Sequence, residues 1–118
     1  MTAAPLPQAA RDVLMAIARR AGEHAETFAR QVDHAVVTED ERTWIYFSVP
    51  RSQPRLPWRD GVIPMGLNPG VVESGEPTSE VLVWVEDGRL CAMEHPWFTD
   101  DPPAGWPRVD DLVWDLGR

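Results

Sequence analysis

The chain has 118 residues and a mass of 13.3 kDa, which is the size of one domain, so we expect residues 1–118 to fold as a single unit. Hydrophobic residues make up 43% and charged residues 25%, a composition that disfavours disordered, collagen-like and fibrous classes. No apolar run approaches the ~20 residues that a membrane span needs, so we expect a cytoplasmic protein. The single Cys91 excludes an internal disulfide and any paired-cysteine metal motif.

The net charge of -8 is concentrated in the second half of the chain. Residues 1–60 hold eight arginines and eight acidic residues, whereas residues 61–118 hold three arginines and eleven acidic residues. An excess of carboxylates repels phosphate backbones, so we expect no nucleic-acid partner. A basic protein surface would be attracted to this half, although acidity also serves solubility alone.

The N-terminal part of the chain predicts a helix followed by a β-hairpin. Between residues 7 and 32 apolar side chains recur at steps of three and four, which predicts one amphipathic helix; the alternative is a bend at Gly22, or a break there between two shorter helices. β-branched and aromatic residues at 34–39 and 43–49 then predict two paired strands, ended by Pro50. Alternation in the second strand places Ile45, Phe47 and Val49 on one face and Trp44, Tyr46 and Ser48 on the other.

The middle of the chain is rich in turn residues. Prolines within residues 51–61 exclude a regular helix and predict an exposed loop. A strand at 62–67 follows, which Pro64 confines to the edge of a sheet, and a further strand is expected near Val71.

The strongest local pattern is the hairpin at residues 81–94. Asp87-Gly88 stands between two strand-like runs, and a type I′ turn needs the positive φ angles that this pair accepts. An uninterrupted register places Glu94 on the face of Val81 and Val83. The cross-strand pairs are then Glu86 with Arg89, Val85 with Leu90, Trp84 with Cys91, and Leu82 with Met93.

The tail after Pro96 is irregular and carries the candidate binding residues. A loop tryptophan next to a proline offers a large, rigid contact area, and surrounding carboxylates suit a basic protein surface. The alternative is that the loop tryptophans, including Trp58, cover the edges of the core, to which Trp44, Trp84 and Trp114 are expected to contribute. Residues 107–116 predict a short helix with Val109, Leu112 and Val113 inward. The candidate partner-binding residues are Trp97, Asp100, Asp101, Trp106, Asp110 and Asp111.

No catalytic or metal-binding motif is present in the sequence. His95 lacks a second histidine at a ligand spacing, and Cys91 lies among apolar neighbours that suit a buried small side chain. We therefore expect neither catalysis nor a cofactor nor a metal. A small enzyme or ligand binder that uses Glu94 and His95 is the weakest alternative.

The segment 83–112 combines a strand, an Asp-Gly turn, a second strand and a Trp-Phe-Thr-Asp-Asp-Pro-Pro tail. It resembles small, functionally uncharacterised acidic proteins of GC-rich actinobacteria. In size and acidity the chain is also similar to bacterial toxin-immunity proteins. Immunity proteins share no motif, so this resemblance carries over no functional residue.

These patterns predict an α+β fold, in which an N-terminal helix packs on an antiparallel sheet of four or five strands and an irregular tail closes the domain. The predicted function is that of a non-enzymatic protein-binding domain, an immunity-type inhibitor that occludes a basic toxin through its acidic, tryptophan-containing C-terminal surface. The alternative is a homodimeric adaptor or secretion-chaperone-like protein that binds a client segment through an apolar groove or a sheet edge.

Overall fold

Two helices and two antiparallel sheets make up the computed structural model, which describes residues 4–114. The α+β fold is confirmed. The helices are α1 (Gln8–Ala18) and α2 (Ala25–Asp33). The strands are β1 (Val36–Asp40), β2 (Trp44–Ser48), β3 (Gly61–Val62), β4 (Gly70–Glu73), β5 (Glu76–Glu80), β6 (Leu82–Glu86), β7 (Arg89–Glu94) and β8 (Leu112–Val113). None of the helices within residues 4–114 is long and apolar enough to cross a membrane.

The predicted single N-terminal helix is wrong, because the chain breaks at Gly22. This residue has a φ of +58°, a conformation that interrupts an α-helix and that glycine adopts without strain. A short 3-10 helix (Gly22–His24) then leads into α2, which turns back against α1. Folding back allows both short helices to bury an apolar stripe in one core, with Val13 and Ile17 from α1 and Phe28 from α2 fully buried.

The five-stranded sheet has the order β1-β2-β7-β6-β3. The predicted β1–β2 hairpin is confirmed, and β2 lies inside the sheet as its two apolar faces suggest. Ile45, Phe47 and Val49 point into the core shared with the helices, whereas Trp44 and Tyr46 lie on the opposite face, which we call the outer face. Trp84 of β6 stacks on Trp44 on this same face, so the expectation that these two tryptophans supply the core is wrong.

The β6–β7 hairpin forms around Asp87-Gly88 as predicted, but its register changes after two pairs. Glu86 pairs with Arg89 and Val85 with Leu90, and a β-bulge then pairs Trp84 with Ala92 instead of Cys91. The extra residue reverses the alternation of β7, since side chains alternate between the faces of a strand. Glu94 consequently pairs with Leu82 on the outer face, and the prediction that it shares the face of Val81 and Val83 is wrong.

The three-stranded sheet has the order β5-β4-β8, and only one of its strands was predicted, near Val71. The strand β5 contains Pro77, which an edge strand tolerates because the missing N–H is not needed by a second neighbour. The predicted strand 62–67 shortens to β3 at the edge of the larger sheet, since Pro64 starts a 3-10 helix (Met65–Leu67).

The predicted helix at 107–116 is also replaced. A 3-10 helix (Val109–Asp111) leads into β8, because Leu112 and Val113 pair with β4. Leu112 is buried as expected, whereas Val109 is 40% exposed. Residues 115 and 116 of the predicted helix lie outside the described residues.

Candidate functional site

The first part of the tail lies along the edge of the three-stranded sheet, where Trp97 forms a β-bridge with Ser79 of β5. Trp97 is 40% exposed and Phe98 58% exposed. Asp100 and Asp101 follow them and are exposed, and neither carboxylate forms an ion pair with any residue in the range 4–114. These four residues, Trp97, Phe98, Asp100 and Asp101, form an aromatic and acidic patch that we call the tail surface.

Trp106 is packed against the core, in line with the alternative that loop tryptophans cover core edges. Its ring stacks on the imidazole of His95, with 5.5 Å between the ring centroids and 21° between the planes. His95 is 2% exposed, and its Nε2 lies 2.8 Å from the Ser79 Oγ in a buried hydrogen bond. Burial lowers the pKa of His95, and the nearby Glu73 carboxylate opposes that shift.

A hydroxyl beside an imidazole is the pair that nucleophilic catalysis uses. Here Ser79 is only 2% exposed, so its hydroxyl is closed to a substrate. His95 also donates its backbone N–H to the Thr43 carbonyl, at 2.7 Å, and thereby joins the start of β2 to β5. The pair is a structural link between the two sheets.

Two shallow cavities flank Trp106. The larger, of about 310 Å³, is also lined by Asp110 and by Asp12 of α1. The smaller, of about 240 Å³, is lined by His95, Asp111 and Glu73. The six predicted partner-binding residues therefore fall into two groups, with Trp106, Asp110 and Asp111 around these cavities and Trp97, Asp100 and Asp101 lining neither.

The outer face of the five-stranded sheet carries an aromatic cluster that the sequence analysis did not single out. The Trp44 ring stacks on Tyr46, with 5.6 Å between centroids, and on Trp84, with 6.1 Å. Tyr46 is 38% exposed, and the two tryptophans are half-buried. Burial raises the pKa of Glu94 beside this cluster, the Trp84 indole lowers it, and Glu80 raises it.

Within residues 4–114 the indole N–H groups of Trp44 and Trp84 are buried and form no hydrogen bond of standard geometry, although the Trp84 indole lies close enough to Glu94 to lower the pKa of that carboxyl. Since Nε1 is the polar atom of a tryptophan side chain, the part of each indole that meets solvent is carbon. Alternation in β2 could have indicated this cluster, but the approach of Trp84 and Glu94 depends on the bulge.

The two remaining tryptophans of the described residues serve the core. Trp58 is half-buried and lies edge-on to Phe28, at 6.2 Å, and to His24, at 5.8 Å. Trp114 packs against the core, and the guanidinium of Arg20 lies 4.6 Å from the centroid of its ring. Neither side chain offers the free aromatic surface that Trp97 offers.

The acidic residues are not gathered on one surface. Asp87 lies within 4 Å of three guanidinium groups, at 3.2 Å from Arg89, 3.8 Å from Arg55 and 3.9 Å from Arg51. Its charge is therefore compensated by Arg89 of β7 and by two loop arginines from the first half of the chain. Cys91, expected to be buried, is half-buried near this group, and burial together with neighbouring carboxylates raises the pKa of its thiol.

No group of three or more histidine, cysteine, aspartate or glutamate side chains in residues 4–114 has an arrangement that could hold a metal ion. Glu94 and His95 have different surroundings, the first on the outer face and the second buried against Ser79, so they do not form one site. Comparison of the chain with protein-family models, curated proteins and solved structures finds no match.

Proposed function

We propose that this chain is a non-enzymatic protein-binding domain that inhibits a basic protein, in the manner of a bacterial toxin-immunity protein. The tail surface is the contact area. The observation that carries the proposal is the exposure of Trp97 and Phe98 beside two carboxylates that no described cation pairs.

The chemistry of the tail surface suits a cationic partner. Aromatic side chains at the centre of an interface supply contact area at a small cost in conformational entropy. Asp100 and Asp101 would speed association with a basic surface and penalise an acidic one. Inhibition would follow if the partner's cationic active site were covered.

The proposal is tested by purification of the tagged chain from native lysate at low salt, with mass spectrometry of what is retained. The variant Asp100→Lys/Asp101→Lys reverses the charge of the tail surface, and Glu23→Lys/Glu76→Lys makes the same change at two other exposed positions. We expect the native chain and the control to retain a basic protein that high salt releases. The tail variant should bind it at least about tenfold more weakly.

Aromatic truncation gives a second variant, Trp97→Ala/Phe98→Ala, which should also lose the partner because both rings are exposed rather than part of the core. Retention of the same partner by both tail variants would refute the proposal, as would a partner that is acidic or indifferent to salt.

A second candidate function rests on a groove between the helices. Met15, Ala18, Ala25 and Ala29 line a largely apolar cleft of about 490 Å³ on the surface formed by α1 and α2. Such a cleft suits an adaptor or secretion chaperone that receives apolar side chains of a client segment. Binding that persists at high salt, is lost in Ala29→Glu and is unaffected in the tail variants would favour this function.

A further inference from the structure

The aromatic side chains on the outer face of the five-stranded sheet occupy neighbouring positions on adjacent strands. One row of paired residues crosses all five strands, and it reads Glu39, Tyr46, Ala92, Trp84 and Val62 from β1 to β3. The small Ala92 lies at the centre of this row, between Tyr46 and Trp84. In the neighbouring row Trp44 pairs with Glu94, and its ring stacks on both Tyr46 and Trp84.

The charges around this cluster are acidic. Partial burial raises the pKa of Tyr46, and the carboxylates of Glu41, Glu39 and Glu94 raise it further, so all three act on one phenol. None of these three carboxylates forms an ion pair with a residue in the described part of the chain. The aromatic rings therefore lie beside three carboxylates, none of which is paired with a cation of the described residues.

The half-buried position of Glu94 decides between possible occupants. An anion would be repelled by the surrounding carboxylates. A neutral apolar surface would remove more water from Glu94 and leave its charge unpaired, which is unfavourable. A cation avoids both penalties, because it pairs with the Glu94 carboxylate and lies against ring faces whose quadrupole attracts positive charge.

We propose that the outer face of the five-stranded sheet is a binding site for a guanidinium group, supplied by an arginine side chain of a polypeptide partner. Arginine fits better than lysine, since its planar guanidinium stacks on aromatic rings and donates two parallel hydrogen bonds to one carboxylate. Glu94 supplies that carboxylate, and Trp44, Tyr46 and Trp84 supply the aromatic surface. The inference goes beyond the proposed function, since this face is separate from the tail surface.

The probe is the peptide acetyl-Gly-Arg-Gly-amide, compared with the same peptide carrying citrulline, which keeps the shape of arginine and lacks its charge. Binding is followed by NMR through the indole N–H signals of the full chain. We expect the Trp44 and Trp84 signals to shift, and the arginine peptide to bind at least about tenfold more tightly than the citrulline peptide.

Variants assign the site. Glu94→Gln keeps the size of the side chain and removes its charge, and Tyr46→Thr removes an exposed ring while keeping a residue that suits a strand. Each should weaken arginine binding at least about fivefold. Glu76→Gln, on the exposed β5, is the matched control and should leave binding unchanged.

Equal binding of the two peptides would overturn the inference, and so would shifts confined to signals outside the outer face or full binding by Glu94→Gln. Self-association of the chain through this face would overturn it as well. It would be seen without any peptide, as a change in the Trp44 and Trp84 indole N–H signals when the protein is diluted. The tail-surface proposal would survive each of these results, because its own test depends on Asp100 and Asp101.

Discussion

Gly88 illustrates how a single residue is fixed both by its backbone and by its surroundings. Its φ of +72° follows that of Asp87 at +50°, as a type I′ turn requires. A Cβ atom at this position would lie 2.8 Å from the Leu56 carbonyl oxygen and 2.8 Å from the Arg55 Cβ. The turn therefore packs directly against the loop that follows β2, and no space remains for a side chain at position 88.

The variant Gly88→Ala should be destabilised by about 3 kcal/mol, because left-handed strain and a backbone clash add together. Gly75 is the matched control, since it has a φ of +81° in the β4–β5 turn and open space around it. Gly75→Ala should cost about 1 kcal/mol, which is the strain alone. Chemical denaturation of both variants measures the difference, and equal losses would show that the approach to Leu56 is unimportant.

At the scale of elements, Gln31 joins α2 to the β6–β7 hairpin. It is fully buried, donates from Nε2 to the carbonyls of Pro54 and Gly88, at 2.7 and 3.0 Å, and accepts at Oε1 from the Leu90 N–H, at 2.8 Å. These bonds satisfy the buried Leu90 N–H and the Pro54 carbonyl, and they give a second donor to the Gly88 carbonyl, which also accepts from the Leu56 N–H at 2.8 Å.

Gln31→Met should therefore destabilise the protein by about 3 kcal/mol, although the volume is nearly preserved, because buried backbone groups lose their partners. Gln8→Met changes an exposed glutamine whose side chain bonds to the Asp12 carboxylate, and it should shift the unfolding free energy by less than about 0.5 kcal/mol. Urea unfolding of the two variants is the measurement. A loss below about 1 kcal/mol in Gln31→Met would contradict the assigned role.

The bulge in β7 places Glu94 among aromatic rings, where burial raises the pKa of its carboxyl. A raised pKa in the folded state means that the folded chain holds this proton more firmly than the unfolded chain does. The resulting stabilisation is present in acid and is lost as the pH rises through the folded-state pKa.

Glu94→Gln should accordingly raise the melting temperature at neutral pH, where the native carboxylate is charged and partly buried, and should give no gain near pH 4. Glu76→Gln changes a carboxylate exposed on β5 and should change neither value. Thermal melts of both variants at the two pH values check the sign. An equal rise in the melting temperature at both pH values would show that the ionisation of Glu94 is not the cause.

The part of the fold that local patterns govern was predictable, and the part that distant contacts govern was not. Turn chemistry predicted the Asp87-Gly88 hairpin and its first two pairs. The bulge could not be predicted, because the Leu90 N–H is satisfied by Gln31, 59 residues away. The strand β5 could not be predicted either, because prolines are usually excluded from strands. Pro77 is accepted only because β5 lies at the edge of the three-stranded sheet.

The candidate site divides in the same way. Proline and aromatic residues predicted an irregular tail, in which Trp97 is indeed exposed. Trp106 occurs in a similar local sequence, yet it stacks on His95 from the end of the sheet. The local sequence does not distinguish these two tryptophans. They differ because Trp106 contacts His95, and that contact exists only in the folded chain.

Over the whole molecule, the division of charge between the halves of the sequence does not become a division of the surface. Asp87 from the acidic half is compensated by Arg51 and Arg55, whereas Glu39 and Glu41 from the neutral half join Glu94 on the outer face. The strand order explains this mixing, since β7 of the second half lies beside β2 of the first.

His95 lies where the two sheets and the tail meet, so its ionisation should affect the stability of the whole fold. Burial lowers the pKa of this imidazole, and Glu73, which faces the same cavity as Asp111, opposes the shift. The unfolded chain takes up this proton near pH 6.5, whereas the folded chain resists it until the pH is lower. Stability should therefore fall on acidification, by at most about 1.4 kcal/mol per pH unit for this one group.

Urea unfolding between about pH 7.5 and about pH 5.5 measures this slope while most carboxylates stay ionised. His95→Gln keeps a group that can bond to Ser79 and should flatten the slope, even if its stability is lower throughout. His34→Gln makes the same substitution at an exposed imidazole and is the matched control. An unchanged slope in His95→Gln would show that another group causes the acid sensitivity.

The β7 bulge also has a consequence for how such a chain can diverge. Deletion of the one unmatched residue at position 91 would restore simple alternation, turning the Glu94 carboxylate toward the hydrophobic interior and Met93 toward water. A single-residue insertion or deletion inside this strand should therefore exchange its two faces, so the length of β7 is fixed far more strictly than the length of an exposed loop.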